Sequence, residues 1–227
     1  MLVALHIIRS GVLSDTTVII KTVGRPSLKA AIRSARREGF KVIVVSDGAK
    51  VSAQGARFVK LGRKWGYYGG MCANVGAALA PTPFITFLDD DDTFVPGAGD
   101  IIRRNLQEKP DVDIWIGGVR FARDVVMRNT ETGEETYRGT DFAIWPEKGI
   151  VEGNACMPTY RTKVFETIPF MNNIKEEFNR LTDYIHILTC SQKGFKVDWF
   201  KEVIYLVRPH KKDEEGYGAV NGRGNDT

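Results

Sequence analysis

The sequence predicts an α/β fold with a mostly parallel sheet flanked by helices. Three observations lead there. Short β-branched runs without polar alternation recur through the first half, as strands buried on both faces require. Helical spacing separates these runs, so the strands must be joined by right-handed crossovers and lie parallel. Polar or charged residues follow three of the runs, and ligands of such sheets bind beyond the carboxyl ends of the strands.

The elements follow in order. Thr17-Val18-Ile19-Ile20 predicts the first strand. After Gly24-Arg25-Pro26, the residues Leu28, Ala31, Ile32 and Ala35 recur at helical spacing until Gly39 supplies a stop. Lys41 to Val45 predicts a second buried strand, ending in the turn Ser46-Asp47-Gly48, and Ala56 to Leu61 a third. A loop of glycines and aromatics, with Trp65, Tyr67 and Tyr68, leads to a helix bearing Ala73, Ala77, Ala78 and Leu79. Phe84 to Leu88 predicts a strand that runs straight into Asp89-Asp90-Asp91-Asp92. Thr22 to Arg25, Asp47 and the aspartate tetrad therefore meet at one crevice.

The second half is less regular. Residues 113–116 and 118–121 predict two strands, and Asn129 to Glu134 a polar hairpin turn. Glu176 to Cys190 predicts a helix with Phe178, Leu181, Ile185 and Leu188 on its core face, and Lys196 to Val207 two short strands. The residues from Glu215 on are glycine-rich and polar, a composition that predicts a mobile tail.

Composition narrows the class. The 227 residues suit one globular domain, and a net charge of +4 does not demand a polyanionic partner. Cys72, Cys156 and Cys190 form no CxxC pair, which argues against a zinc site or disulfide framework and for a reducing compartment. No run approaches the ~20 apolar residues that span a bilayer, and the first residues lack the layout of a signal peptide. A cytoplasmic protein is expected.

Four consecutive aspartates after a buried strand repel one another unless something neutralises them. A hard divalent cation bridging to a diphosphate does so, since Mg²⁺ takes one or two carboxylates plus phosphate oxygens. A solvated acidic turn at the start of the next helix is the other chemistry the tetrad supports. Its place at the sheet's carboxyl edge favours the metal.

The motifs in sequence resemble family 2 glycosyltransferases of the GT-A fold. Val18 to Pro26 resembles that family's opening strand and loop, and Val44-Val45-Ser46-Asp47-Gly48 its second strand with a base-binding aspartate. Gly70-Met71-Cys72-Ala73-Asn74-Val75-Gly76 resembles its G-x-x-A-R-N-x-G segment, and Phe87 to Asp92 its D-x-D motif. Thr182-Asp183-Tyr184 stands at its E-D pair, and Tyr205 to His210 resembles its closing strand and histidine. The resemblance runs in order from Thr17 to His210. Lys21 stands at the family's proline, Gly24 at its asparagine, Thr182 at its glutamate, and the arginine beside Asn74 is missing.

The resemblance implies one GT-A domain over residues 1–227: a nucleotide-sugar half at 17–96, an acceptor half at 97–210 and a polar tail at 211–227. It implies a metal-dependent, inverting transfer of a sugar from a nucleoside diphosphate, a UDP-sugar favoured, to an acceptor hydroxyl. Asp183 would be the general base. Thr22, Val23, Arg25, Asp47, Gly70, Asn74, Asp89 and Asp90 would contact the donor, and Asp91 with His210 would hold Mn²⁺ or Mg²⁺. Asp47 and Arg25 also read as a turn residue and a helix-start charge, and Asp183 as a helix-surface carboxylate. Trp145, Glu152, Gly153 and Asn154 would shape the acceptor pocket.

Two further functions fit. Small enzymes of this family include viral ones that glycosylate hydroxymethylated DNA bases, and the clusters Arg33/Arg36/Arg37, Arg57/Lys60/Arg63/Lys64 and Lys211/Lys212 suit such an acceptor. Thr182 and the missing arginine suit a nucleotide-sugar-binding module without turnover. A carbohydrate acceptor and a modified DNA acceptor both stand as partners.

Overall fold

The computed structural model describes residues 15–66, 69–121, 125–128, 135–139, 142–144, 158–171 and 182–207. Its first half follows the predicted alternation. Strands β1 (Thr16–Thr22), β2 (Lys41–Ser46), β3 (Arg57–Lys60) and β4 (Phe84–Asp89) are interleaved with helices α1 (Leu28–Arg37) and α2 (Gly70–Leu79). The order β3-β2-β1-β4 is parallel throughout, with Lys21 in register with Val45 on one side and Asp89 on the other. The carboxyl ends of β1, β2 and β4 consequently share one edge.

Burial explains these strands. Val18, Ile19, Ile20, Val44, Val45, Ile85 and Leu88 are fully buried, each worth roughly 1.5–3 kcal/mol relative to exposure. Helix α1 presents Leu28, Ala31, Ile32 and Ala35 to them, as its spacing predicts. Helix α2 lies close to the sheet because it is built of small residues. A Cβ at Gly76 would stand 2.3 Å from Ile19 Cγ2.

The second half continues with β5 (Thr93–Phe94), α3 (Ala98–Glu108), β6 (Ile114–Phe121), β7 (Val125–Arg128), β8 (Glu135–Gly139), β9 (Phe142–Ile144), β10 (Thr159–Arg161), α4 (Lys163–Thr167), α5 (Thr182–Gln192) and β11 (Val197–Val207). Strand β10 runs antiparallel between β4 and β6, joining the halves into one nine-stranded sheet ordered β3-β2-β1-β4-β10-β6-β11-β5, with β9 beside β6. Strands β6 and β11 are parallel.

Four expectations change. Residues 113–116 and 118–121 are not two strands: β6 runs unbroken from 114 to 121. Gly117 marks a close contact there, since a Cβ would lie 2.7 Å from the Phe200 ring. Residues 197–207 form one strand whose register shifts around Val203, not two. Helix α3, unforeseen, buries Ala98, Ile102 and Leu106. On α5 the buried face is Thr182, His186, Ile187 and Cys190, while Ile185 and Leu188 are only half-buried; Phe178 and Leu181 of the expected face lie outside the described residues. Strands β7 and β8 pair as a hairpin, but the turn at 129–134 lies outside the described residues.

Candidate active site

The aspartate tetrad is split by its turn. Asp92 N–H donates to Asp89 O at 3.1 Å, so the chain folds back directly after β4. The carboxylates of Asp89, Asp91 and Asp92 then converge, each offering an oxygen within 4.8 Å of the others. Asp90 points the opposite way and is fully buried. Its Oδ2 accepts from Thr22 Oγ1 at 2.5 Å, Val23 N at 3.2 Å and Arg25 N at 3.4 Å, and its Oδ1 pairs with the Arg25 guanidinium.

The Asp90 carboxylate thus holds the loop from β1 to α1. Thr22 and Val23 are held by the same network, and Thr22 O also accepts from Asp47 N at 2.9 Å. Arg25 lies between Asp90 and Asp91, 3.6 Å from the latter. Burial works against its charge, but Asp90 and Asp91 outweigh that and strengthen it.

Lys21 is the residue whose importance the sequence understated. Its ammonium lies 3.0 Å from Asp89 Oδ1 and is nearly buried. Burial opposes its charge, yet Asp89 and Asp183 more than offset that and raise its pKa above the ordinary value. Gly69 is what lets the chain pass over it. With φ near +80°, Gly69 begins the approach to α2, and a Cβ there would stand 3.0 Å from Lys21 Cδ. Gly70 then opens α2.

Asp183 occupies the first turn of α5, where a helix N-terminus favours negative charge. The residue is half-buried. Burial pushes its pKa up, Lys21 pulls it down and Asp89 adds to the rise. Lys21 and Asp89 thus act electrostatically on Asp183, although α5 is remote from β1 and β4 in sequence. Behind it, His186 donates from Nε2 to Ile168 O at 2.8 Å, and Tyr160 donates its hydroxyl to His186 Nδ1 at 3.3 Å. Burial lowers the pKa of His186 to about 4, so the ring is neutral and forms part of the core with Phe87, Phe165 and Phe170.

Asp47 has a definite task. Its oxygens accept from Trp65 N at 2.7 Å and Gly66 N at 2.9 Å, which pins the loop after β3 to the end of β2. Asn74 donates from its amide to Phe170 O at 3.0 Å and accepts from Phe170 N at 2.8 Å, so it ties α2 to the segment after α4. Cys72, beside this site, is a buried thiol pushed up to about 12 by burial, and is not a nucleophile. His210, Tyr67, Tyr68, Trp145, Glu152, Gly153 and Asn154 lie outside the described residues.

The charges suit a divalent cation. The four aspartates carry four negative charges, and Lys21 and Arg25 neutralise two of them. The three convergent carboxylates are oxygen donors of the type that Mg²⁺ and Mn²⁺ prefer. Asp92 joins this group, a residue the D-x-D spacing alone did not single out.

Residues 17–204 match the sequence profile of glycosyl transferase family 2. The chain belongs to that family. Solved structures similar to this family 2 chain show the same GT-A fold. TarS 1-349 from S. aureus is 16% identical with a TM-score of 0.62, over 89% of this chain and 62% of that one. TarS 1-349 in complex with UDP-GlcNAc is 14% identical with a TM-score of 0.55, over 85% and 58%. The mannosyltransferase PcManGT from Pyrobaculum calidifontis, in complex with GDP-Man and Mn²⁺, is 12% identical with a TM-score of 0.57, over 90% and 59%. This family 2 chain thus spans about three fifths of the length of each. No curated protein matches its sequence. Among the described residues, no helix is long and apolar enough to cross a membrane.

Proposed function

We propose that this chain moves a sugar from a nucleoside diphosphate, UDP favoured, to an acceptor hydroxyl with inversion at the anomeric carbon. One observation carries the reading. The fold brings Asp183 to the corner where Lys21 and the Asp89–Asp91–Asp92 cluster meet at the sheet's carboxyl edge. A proton acceptor and a diphosphate-binding locus then face one crevice.

Asp183 takes the proton of the acceptor hydroxyl as its oxygen forms a bond to the anomeric carbon. The bond from that carbon to the diphosphate oxygen breaks on the opposite face, and its electron pair leaves with the phosphate. Lys21 favours the ionised form of Asp183, as the base requires, and orients Asp89. Asp91, with Asp89, Asp92 and His210, would hold Mn²⁺ or Mg²⁺, which supplies Lewis-acid stabilisation of the leaving diphosphate. Asp47 and the loop it pins flank the base, with Thr22 and Val23 on the other side. Asp89 also reaches the ribose, and the backbone at Gly70 faces the diphosphate. The favoured UDP and the metal draw support from TarS with UDP-GlcNAc and PcManGT with GDP-Man and Mn²⁺.

The test is nucleoside diphosphate release from UDP-glucose, UDP-GlcNAc and GDP-mannose with Mn²⁺, in the wild type and in Asp183→Asn. Loss of a positioned general base costs about 10²–10⁴ in rate, with nucleotide binding retained. Full activity in Asp183→Asn would remove it as the base. Binding of a nucleotide sugar with no release by the wild type would support the binding-module reading instead.

A further inference from the structure

We propose that the edge of the described sheet at β3, with residues 61–66 that follow it, binds single-stranded nucleic acid. Charge is distributed very unevenly along this chain. Residues 16–88 hold twelve lysines and arginines against two acidic residues, Glu38 and Asp47. The remainder from Asp89 on is acidic, with nineteen basic residues against twenty-five. The modest overall charge of +4 conceals a strongly basic half.

The fold concentrates that charge. Between Asp47 and Asp89 there is no carboxylate side chain, while Lys50, Arg57, Lys60, Arg63 and Lys64 all fall in that stretch. Strand β3 lies at the end of the sheet and pairs with β2 alone among the described strands. Arg57, Phe58 and Lys60 are exposed, whereas Val59 packs toward the core. Side chains alternate along a strand, so Phe58 and Lys60 share the outward face. Arg36 of α1 extends the strip: a Cβ at Gly55, just before β3, would meet its guanidinium at 2.4 Å.

The aromatic residues identify the ligand. Among the described residues the exposed large apolar side chains are Phe58, Trp65 and Met171, and two of these three stand on the basic edge. Phe58 is 40% exposed and Trp65 36%, and the Arg63 guanidinium sits 4.0 Å from the Trp65 ring centre. Their backbone is fixed. Leu61 N donates to Ser46 O at 2.9 Å, and Asp47 holds the amides of Trp65 and Gly66. Rings on a rigid, cationic edge form a stacking platform for unpaired bases, with the cations tracking the phosphates. Duplex DNA hides its base faces, and a polyanion without bases has no use for the rings.

The inference goes beyond glycosyl transfer and shares only the Trp65 loop with the proposed donor site, and its test contains no nucleotide sugar. Binding of a fluorescent 20-mer of deoxythymidine is read by anisotropy between 50 and 200 mM NaCl. Four phosphate contacts, from Arg36, Lys60, Arg63 and Lys64, give a log–log slope of about −2.8, hence roughly a 50-fold loss of affinity over that range. Lys60→Glu with Lys64→Glu should flatten the slope by about 1.4, since each contact contributes about 0.7. Phe58→Ala with Trp65→Ala should weaken binding about tenfold or more at unchanged slope. All four positions are exposed, so each double variant should keep the wild-type melting temperature; Arg63→Ser with Lys64→Ser serves as the charge variant if the first does not fold. No binding at 50 mM NaCl overturns the proposal. So does a charge-reversed variant with unaltered affinity, or an aromatic variant that binds as tightly as the wild type while heparin competes equally well.

Discussion

Lys21 and Asp89 face each other in register on adjacent parallel strands, their charged ends 3.0 Å apart. Lys21 stands where the family resemblance calls for proline. A proline could not have supplied a cation at the seam between β1 and β4. The same ammonium acts electrostatically on Asp183, so one side chain links the acidic turn to the proposed base.

Replacing that cation should move the pH profile. In Lys21→Met, Asp183 keeps the burial and the Asp89 repulsion that raise its pKa and loses the charge that lowers it. The ionised base then forms only at higher pH. The acidic limb of kcat/KM should shift to higher pH, whereas Lys21→Arg should restore it toward the wild type. An unshifted limb in Lys21→Met would show that Lys21 does not act on the base.

Asp183 itself should cost the fold stability. Its folded pKa is raised, so its favourable contribution is full below the unfolded carboxyl pKa and is lost as pH rises through the folded value. At pH 7 the neutral Asp183→Asn should therefore melt at or above the wild-type temperature. A lower melting temperature would mean that the carboxylate makes stabilising contacts that outweigh its burial.

Asp90 should behave in the opposite way. It is a fully buried carboxylate with a half-buried arginine partner and three further donors. Asp90→Ala should cost about 3–5 kcal/mol in urea denaturation, because it strands Arg25 and frees the loop amides. Asp91→Ala should cost markedly less, since like charges are being thinned out. Equal losses would contradict the division of labour within the tetrad.

That division marks the limit of what could be read from the residues. The parallel order of β1, β2 and β4, and the meeting of Thr22, Asp47 and Asp89 to Asp92 at one edge, followed from buried β-branched runs separated by helices. Four identical aspartates carry no pattern, so it took the turn closed by Asp92 N–H to show that Asp90 faces inward and Asp92 joins the cluster. Asn74 fits a donor-binding motif, but its amide is taken by Phe170, a partner far away in sequence. Helix α5 has weak amphipathic spacing, and its polar His186 and Thr182 are buried because Ile168 and the Tyr160 cluster give the histidine partners. Long-range polar pairing of this sort leaves no local trace.

His186 should make the protein acid-sensitive. Its pKa is lowered to about 4, so its contribution is full above the unfolded value near 6.5 and is lost as pH falls toward 4. Over that window the loss amounts to about 3 kcal/mol. Urea denaturation at pH 7 and pH 5 should show a stability difference that shrinks in His186→Phe. The same pH dependence in the variant would assign the acid sensitivity elsewhere.

The central claim is a metal-dependent nucleotide site at the turn after β4. The most direct test is thermal stabilisation by UDP with and without Mn²⁺, in the wild type and Asp91→Ala. UDP at 100 times its dissociation constant should add about 2.7 kcal/mol to the wild type. That gain should require Mn²⁺ and vanish in Asp91→Ala. A wild type that UDP, GDP and CDP all leave unshifted with Mn²⁺ present, or an Asp91→Ala variant stabilised as much as the wild type, would contradict it.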